Sequence, residues 1–273
     1  MTLLSDYALH LLRSQSLTDK LTDCPEHIIL DQYAGNVADA PGREPRLKFS
    51  DKKMKIPRLE HLHQEHNRAV TMHHFANHEL MAIELFAWAL LKFPELPERF
   101  KKDILKTISE EQKHLRLYLQ QMQIAGISLG DRPLNYIFWK QTPRMQTAEK
   151  FFAVMALSLE GANLDYSILY EKAFRFHGDN TAADIMQTIY RDELKHVTRG
   201  LKIFRNFKPD NMNDWEYYLS LIEFPFTPRR AKGYKYFPES RKKTGLDDSF
   251  VTQLEHYSDE YSNRVKSSLL NEL

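Results

Sequence analysis

Residues 98–125 read ERFKKDILKTISEEQKHLRLYLQQMQIA. Leu105, Ile108, Leu115, Leu119 and Met122 recur at a rough three-to-four period, which places apolar side chains on one face of a helix. The stretch holds no proline and stops at Gly126, so it predicts one long helix over 98–125. What that helix carries decides the rest. Glu111-Gln112-Lys113-His114 sets a carboxylate and an imidazole three residues apart, on one side of the helix, where both can address a single metal ion.

Working outward, three more helices are expected from runs rich in Leu, Ala, Glu, Lys, Gln and Met without internal proline. They cover about 72–93, ending at Pro94-Glu95-Leu96-Pro97; 147–176, ending at His177-Gly178-Asp179; and 181–206, ending near Pro209. No strand alternation interrupts them, so an all-α core is predicted. Short turns make the first two helices, and the last two, antiparallel hairpins. About twenty residues, 127–146, lie between the pairs and could extend roughly 65 Å, against about 42 Å for the 28-residue helix. One long crossover is therefore feasible, giving a four-helix bundle that is not simply up-down-up-down. Residues 1–60 read as an N-terminal arm packed on the bundle, opening with a short amphipathic helix over 1–15. The bundle spans 61–208. Residues 209–273 read as a basic C-terminal arm with a last helix over 249–271.

A single Glu-x-x-His match is weak, because about one is expected by chance in a chain of this composition. Three occur, at Glu111-His114, Glu193-His196 and Glu60-His63. Their company separates them. A di-metal bundle needs one further carboxylate from each remaining helix at the same height, which in a hairpin means equal distance from the turn. Glu79 lies 32 residues before Glu111, and their midpoint falls within Pro94–Pro97. Glu160 lies 33 residues before Glu193, and their midpoint falls at Phe176-His177, beside Gly178. Glu60-His63 follows Pro57 without such a partner and reads as a decoy. The two halves also repeat. Glu79…Glu84 matches Glu160…Asp165, and Glu110-Glu111-x-x-His114 matches Asp192-Glu193-x-x-His196, at offsets of 81 and 82 residues.

Glu84 and Asp165 are the rival ligands, but five residues is about 140° around a helix, and equal height favours Glu79 and Glu160. Glu84 and Asp165 are expected behind the ligands, accepting a hydrogen bond from the distal nitrogen of His114 or His196. Tyr118 and Tyr190, one or two turns from the ligand pairs, could bond the carboxylates, although packing is the commoner role of such rings. The competing reading of the acidic residues is a set of buried salt bridges with Lys or Arg. Buried unpaired carboxylates are costly, and a metal is the economical counter-charge.

Composition excludes other classes. The chain's 38 basic and 37 acidic residues nearly cancel, so no global field suits a nucleic-acid or membrane-surface protein. Cys24 is the single cysteine, which excludes a disulfide framework or a cysteine-rich zinc module. No run approaches 18 apolar residues, and the start lacks a secretory leader. A cytoplasmic protein away from membranes, monomeric or homodimeric, is expected.

At HHFANHELMAIELFAWAL (73–90), EEQKHLRLYL (110–119), SLEGANLDYSILY (158–170) and RDELKHVTRGLKIF (191–204) the sequence resembles the uncharacterised bacterial ferritin-like-domain family, within the ferritin-like di-iron carboxylate superfamily. The resemblance covers about residues 60–207. It implies a ferritin-like bundle with Glu79, Glu111, His114, Glu160, Glu193 and His196 as metal ligands, and it brings no substrate. The wider superfamily includes a tRNA-modifying hydroxylase, quinone-biosynthesis hydroxylases, peroxidases and iron stores.

Four carboxylates balance two ferrous ions, with two neutral imidazoles completing the set. Oxygen and nitrogen donors suit iron first, with manganese–iron or manganese pairs as alternatives. The expected function is an O₂-activating oxidoreductase of monooxygenase type. It would act on a small organic substrate, with electrons from a separate reductase, since no glycine fingerprint for a flavin or nicotinamide is present. A non-catalytic metal-binding, ferroxidase or storage protein is the alternative, although the long arms favour a covered substrate pocket over a cage. An RNA-binding reading would use Arg229, Arg230 and Lys232 in the basic, aromatic stretch 226–243. A solvated arm whose rings pack on the bundle is the stronger reading there. The histidine run from His61 to His78 reads mainly as partly solvated side chains, with His74 and His78, one turn apart, as an accessory metal site or channel lining in second place.

Overall fold

The computed structural model describes residues 2–52, 54–259 and 269–273, which are mostly helical. The chain divides into two compact units, one of residues 1–57 and 64–142, the other of 58–63 and 143–273.

The first unit is built on a hairpin. It contains α1 (Leu4–Arg13), α2 (Leu17–Lys20), α3 (Glu65–Lys92) and α4 (Glu98–Ile124). Helix α3 begins seven residues earlier than the expected 72. His66, Asn67 and Arg68 show no apolar period, yet none of them breaks a helix, and Ala69 and Val70 are already buried. Every residue from Glu79 to Leu91 is buried, the signature of a helix enclosed on all sides. Helix α1 packs along it. At the far end of α4, Gly126 takes φ 68°. Its N–H bonds to Gln123 O at 3.0 Å and that of Ile127 to Met122 O at 2.9 Å, a Schellman stop that a left-handed glycine permits.

The chain after α4 then runs back beside α3. Gly130 N–H donates to His73 Nε2 at 3.1 Å and Asn77 Nδ2 donates to Asn135 O at 2.9 Å. The Phe138 ring lies 4.8 Å from that of His78, and Trp139 Nε1 donates to Glu84 at 3.1 Å. These contacts climb α3 in step with the sequence, over about 16 Å, so the connection travels along the hairpin as a crossover must. Two scraps of pairing were not expected. Thr2–Leu3 pairs in parallel with Ile28–Ile29, and Phe49 bridges to Leu134. Two-residue pairings are too short to leave an alternating pattern.

The second unit holds a 3₁₀ turn (Leu59–His63), α5 (Ala148–Val154), a π-helical segment (Met155–Glu160), α6 (Gly161–Phe176) and α7 (Asn180–Phe207). Then come α8 (Asp214–Leu221), α9 (Pro238–Lys243) and α10 (Asp248–His256). Helices α6 and α7 are the second hairpin. The expected helix over 147–176 thus runs from Ala148 to Phe176, with a π turn inserted at Met155–Glu160. Ser158 Oγ donates back to Ala153 O at 2.8 Å and meets the Tyr218 hydroxyl at 2.7 Å. Helix α7 comes so close here that a Cβ on Gly200 would stand 2.1 Å from Ala156 Cβ. The expected last helix over 249–271 is cut short: α10 ends at His256, where Tyr257 turns extended at ψ 127°, and residues 260–268 lie outside the described residues. Among the described residues, no helix is long and apolar enough to cross a membrane.

Candidate metal centre

In the first unit α3 presents Glu79 and α4 presents Glu111 and His114, at matching distances from the Pro94–Pro97 turn. Their relative exposures are 4%, 1% and 0%. His114 Nδ1 stands 3.6 Å from Glu111 Oε2 and 3.8 Å from Glu79 Oε2. These separations are too long for hydrogen bonds. They are the spacing of ligands around one ion: two donors each about 2.1 Å from a metal, about 120° apart, stand about 3.6 Å from each other. Each of the three residues has a ligand atom within 4.8 Å of the others.

The second unit repeats the arrangement. Glu160 closes the π segment, and α7 carries Glu193 and His196, all three buried. His196 Nδ1 lies 3.6 Å from Glu193 Oε2, and Glu160 and His196 have ligand atoms within 4.8 Å of each other. Asn163 Nδ2 donates to Glu193 Oε1 at 3.4 Å. These buried groups could hold metal ions. Each unit offers two carboxylates and one imidazole, a donor set whose charge and hardness fit one divalent cation.

Burial, and next the Glu111 carboxylate, pushes the Glu79 carboxyl well above its ordinary value of 4.5. A carboxyl raised in the folded state binds its proton more tightly than in the unfolded chain, so its stabilising protonation is lost as pH rises through the folded value. Without metal, Glu79 should therefore make the protein less stable as pH climbs above about 4.5. A metal ion displaces that proton, so metal-derived stabilisation should grow over the same range. Thermal melts with and without Mn(II) from pH 5 to 8 check this; parallel curves would show that no ion competes for the proton.

Glu84 and Asp165 are corrected by the structure. Glu84 accepts from Arg43 Nε at 3.0 Å and Arg43 Nη2 at 2.7 Å, lies 3.3 Å from Lys20 Nζ, and accepts from the Trp139 indole. Asp165 is gripped by both Arg241 terminal nitrogens and by the Gly233 and Phe237 N–H groups. They hold arginines rather than His114 or His196, because a buried carboxylate is best satisfied by a forked, permanently charged donor. The salt-bridge reading was thus right for these two positions. Tyr190 is also corrected: its hydroxyl meets Ser240 Oγ at 3.1 Å and Lys243 lies over its ring. Tyr118 is fully buried, with its ring 5.7 Å from that of Phe75.

The histidine run is not simply solvated. His73 is buried as the acceptor for Gly130, and burial pushes it down to about 4. His74 and His78 meet edge to face at 4.2 Å, both held neutral by burial. In the basic stretch, Arg229 donates to Lys232 O at 3.0 Å, and Lys232 Nζ donates to Glu255 O and Tyr257 O. Those two cations tie the arm together, whereas Arg230 is exposed. Sequence reasoning missed Arg43 and Arg241 as partners, since no spacing rule links an arm to a helix, and it missed the π turn.

A family profile described as "Protein of unknown function (DUF455)" matches residues 5–252. The chain is 30% identical over 195 residues to an uncharacterized protein of Haemophilus influenzae, an alignment covering 66% of this chain and 62% of that protein. No solved structure matches.

Proposed function

Since this chain belongs to the DUF455 family, whose description carries no activity, we propose a function from the site itself: the two half-sites act together as one di-metal carboxylate centre of the ferritin-like kind, serving O₂-dependent oxidation of a small organic molecule. Glu79, Glu111, His114, Glu160, Glu193 and His196 are its ligands. The observation that carries this reading is one geometry built twice, with His Nδ1 at 3.6 Å from the preceding Glu Oε2 in each half. The four carboxylates neutralise two divalent ions, and two imidazoles add no charge. Iron fits first, with manganese–iron or manganese pairs served by the same donors.

The six residues would hold two ferrous ions, which would supply electrons for the reduction of O₂, with a separate reductase restoring them. The chain's own contribution is placement and dryness. Nδ1 faces the carboxylates in both histidines, which leaves Nε2 to carry the ring proton and fix the tautomer. The near-zero exposure of the donors excludes water, which strengthens their hold on the ions.

Metal analysis of protein expressed with iron and manganese should find about two ions per chain, lost in Glu111→Ala and Glu160→Ala. Anaerobic loading with iron followed by oxygen should give an optical change. Bound iron indifferent to oxygen would remove the oxidative reading and leave the metal centre. Zinc alone, unaffected by either substitution, would remove the centre too.

A further inference from the structure

Each arm sends one arginine into its own hairpin, and the two insertions match. Arg43 stacks over the Phe49 ring at 4.2 Å, and Arg241 over the Tyr236 ring at 4.6 Å. Both side chains are essentially inaccessible, at 3% and 1% exposure, as are their carboxylate partners. Both carboxylates, Glu84 and Asp165, stand five places after a ligand glutamate on the same stretch of helix.

The remaining donors of each arginine reach to the other side of, or right beside, that ligand. Arg43 Nη1 donates to Asn77 Oδ1 at 3.3 Å, two residues before Glu79, while its other nitrogens hold Glu84. The arginine therefore spans the turns of α3 that bear Glu79. Arg241 Nη2 donates to Gly161 O at 2.6 Å as well as to Asp165. Gly161 directly follows Glu160, so the arginine staples the first turn of α6 just where the π segment releases it. A π turn is an uncommon helical geometry, found most often at functional sites.

We propose that Arg43 and Arg241 are positioning residues of the metal centre: each arm arginine fixes the helical turns that carry one ligand glutamate, Glu79 or Glu160, so that metal loading and arm docking are coupled. The inference rests on the di-metal reading above. It gives the arms a defined task, since neither a point charge nor an apolar side chain can fork between two anchors and stack on a ring at once. Coupling of this kind is reciprocal, so bound metal must in turn hold the arms down.

The test uses the full chain and Co(II), whose visible bands report its ligand geometry. Wild type is titrated first, beside Glu111→Ala. Failure of wild type to bind Co(II) at sites lost in that variant overturns the centre itself, and this inference with it. Given binding, Arg43→Lys and Arg241→Lys keep the charge but lose the fork. Each should weaken binding of one ion at least tenfold and shift the visible spectrum, while Arg230→Lys, on an exposed arginine, leaves both unchanged. Lysine variants that lower the melting temperature yet bind Co(II) with wild-type affinity and spectrum overturn the inference. A second measurement needs no variant: Co(II) should slow amide exchange of wild type in residues 43–49 and 233–241 at least tenfold. Arms whose exchange ignores a bound ion overturn the inference equally.

Discussion

Glu111→Ala is expected to abolish the thermal stabilisation that divalent metal gives this protein. An ion that binds the folded state at a thousandfold excess over its dissociation constant contributes about 4 kcal/mol, roughly 10 °C in melting temperature for a chain of this size. Glu111 meets His114 within its own half-site and repels Glu79, and because the proposed centre binds its two ions together, its removal disables the whole centre. The same repulsion predicts an unusual companion result. Without metal, the variant should melt close to wild type, because lost packing is offset by relief of a buried carboxylate pair. Melts of both proteins with and without Mn(II) check both statements. A variant that still gains 10 °C from the metal would show that Glu111 is not a ligand, and a metal-free variant that collapses would show that it is a structural residue.

Arg241→Met should cost the metal-free protein about 3–5 kcal/mol, the usual result of leaving a buried carboxylate without its cation. Among the described residues Arg241 is the cation on Asp165, whose other partners are the Gly233 and Phe237 N–H groups. Arg43→Met should cost distinctly less, about 1–3 kcal/mol, because Lys20 remains 3.3 Å from Glu84 and the Trp139 indole still donates to it. Pairing Arg241→Met with Asp165→Leu should recover much of the loss, as replacing a whole buried ion pair commonly does. Urea denaturation at neutral pH measures the series. Equal costs for the two arginines would mean that Lys20 does not neutralise Glu84.

The hairpins were legible because local rules govern them. Proline, glycine and a three-to-four period fix where α4 and α7 begin and end and where α6 ends, and mirrored spacing across a turn is enough to pick Glu79 and Glu160 as companions of the Glu-x-x-His pairs. The start of α3 was missed because its first turns are polar and periodicity says nothing there. The roles of Glu84 and Asp165 were half legible. Their positions repeat at the ligands' own offset, which tied them to the site, but what they bind arrives from arms 41 and 76 residues away in sequence. No rule of helix geometry reaches that far. The π turn at Met155–Glu160 packs against Tyr218 and Gly200, contacts between elements that leave no mark in a single stretch of chain.

That turn belongs to the second hairpin, while the first runs through Glu79 as ordinary helix. A symmetric assembly of identical subunits cannot keep such a difference, because every inherited substitution appears in all copies. Here the repeat is written twice into one polypeptide, so a change at Ser158, Tyr218 or Gly200 falls on one half's surroundings and spares the other. Each half is free to drift toward its own task.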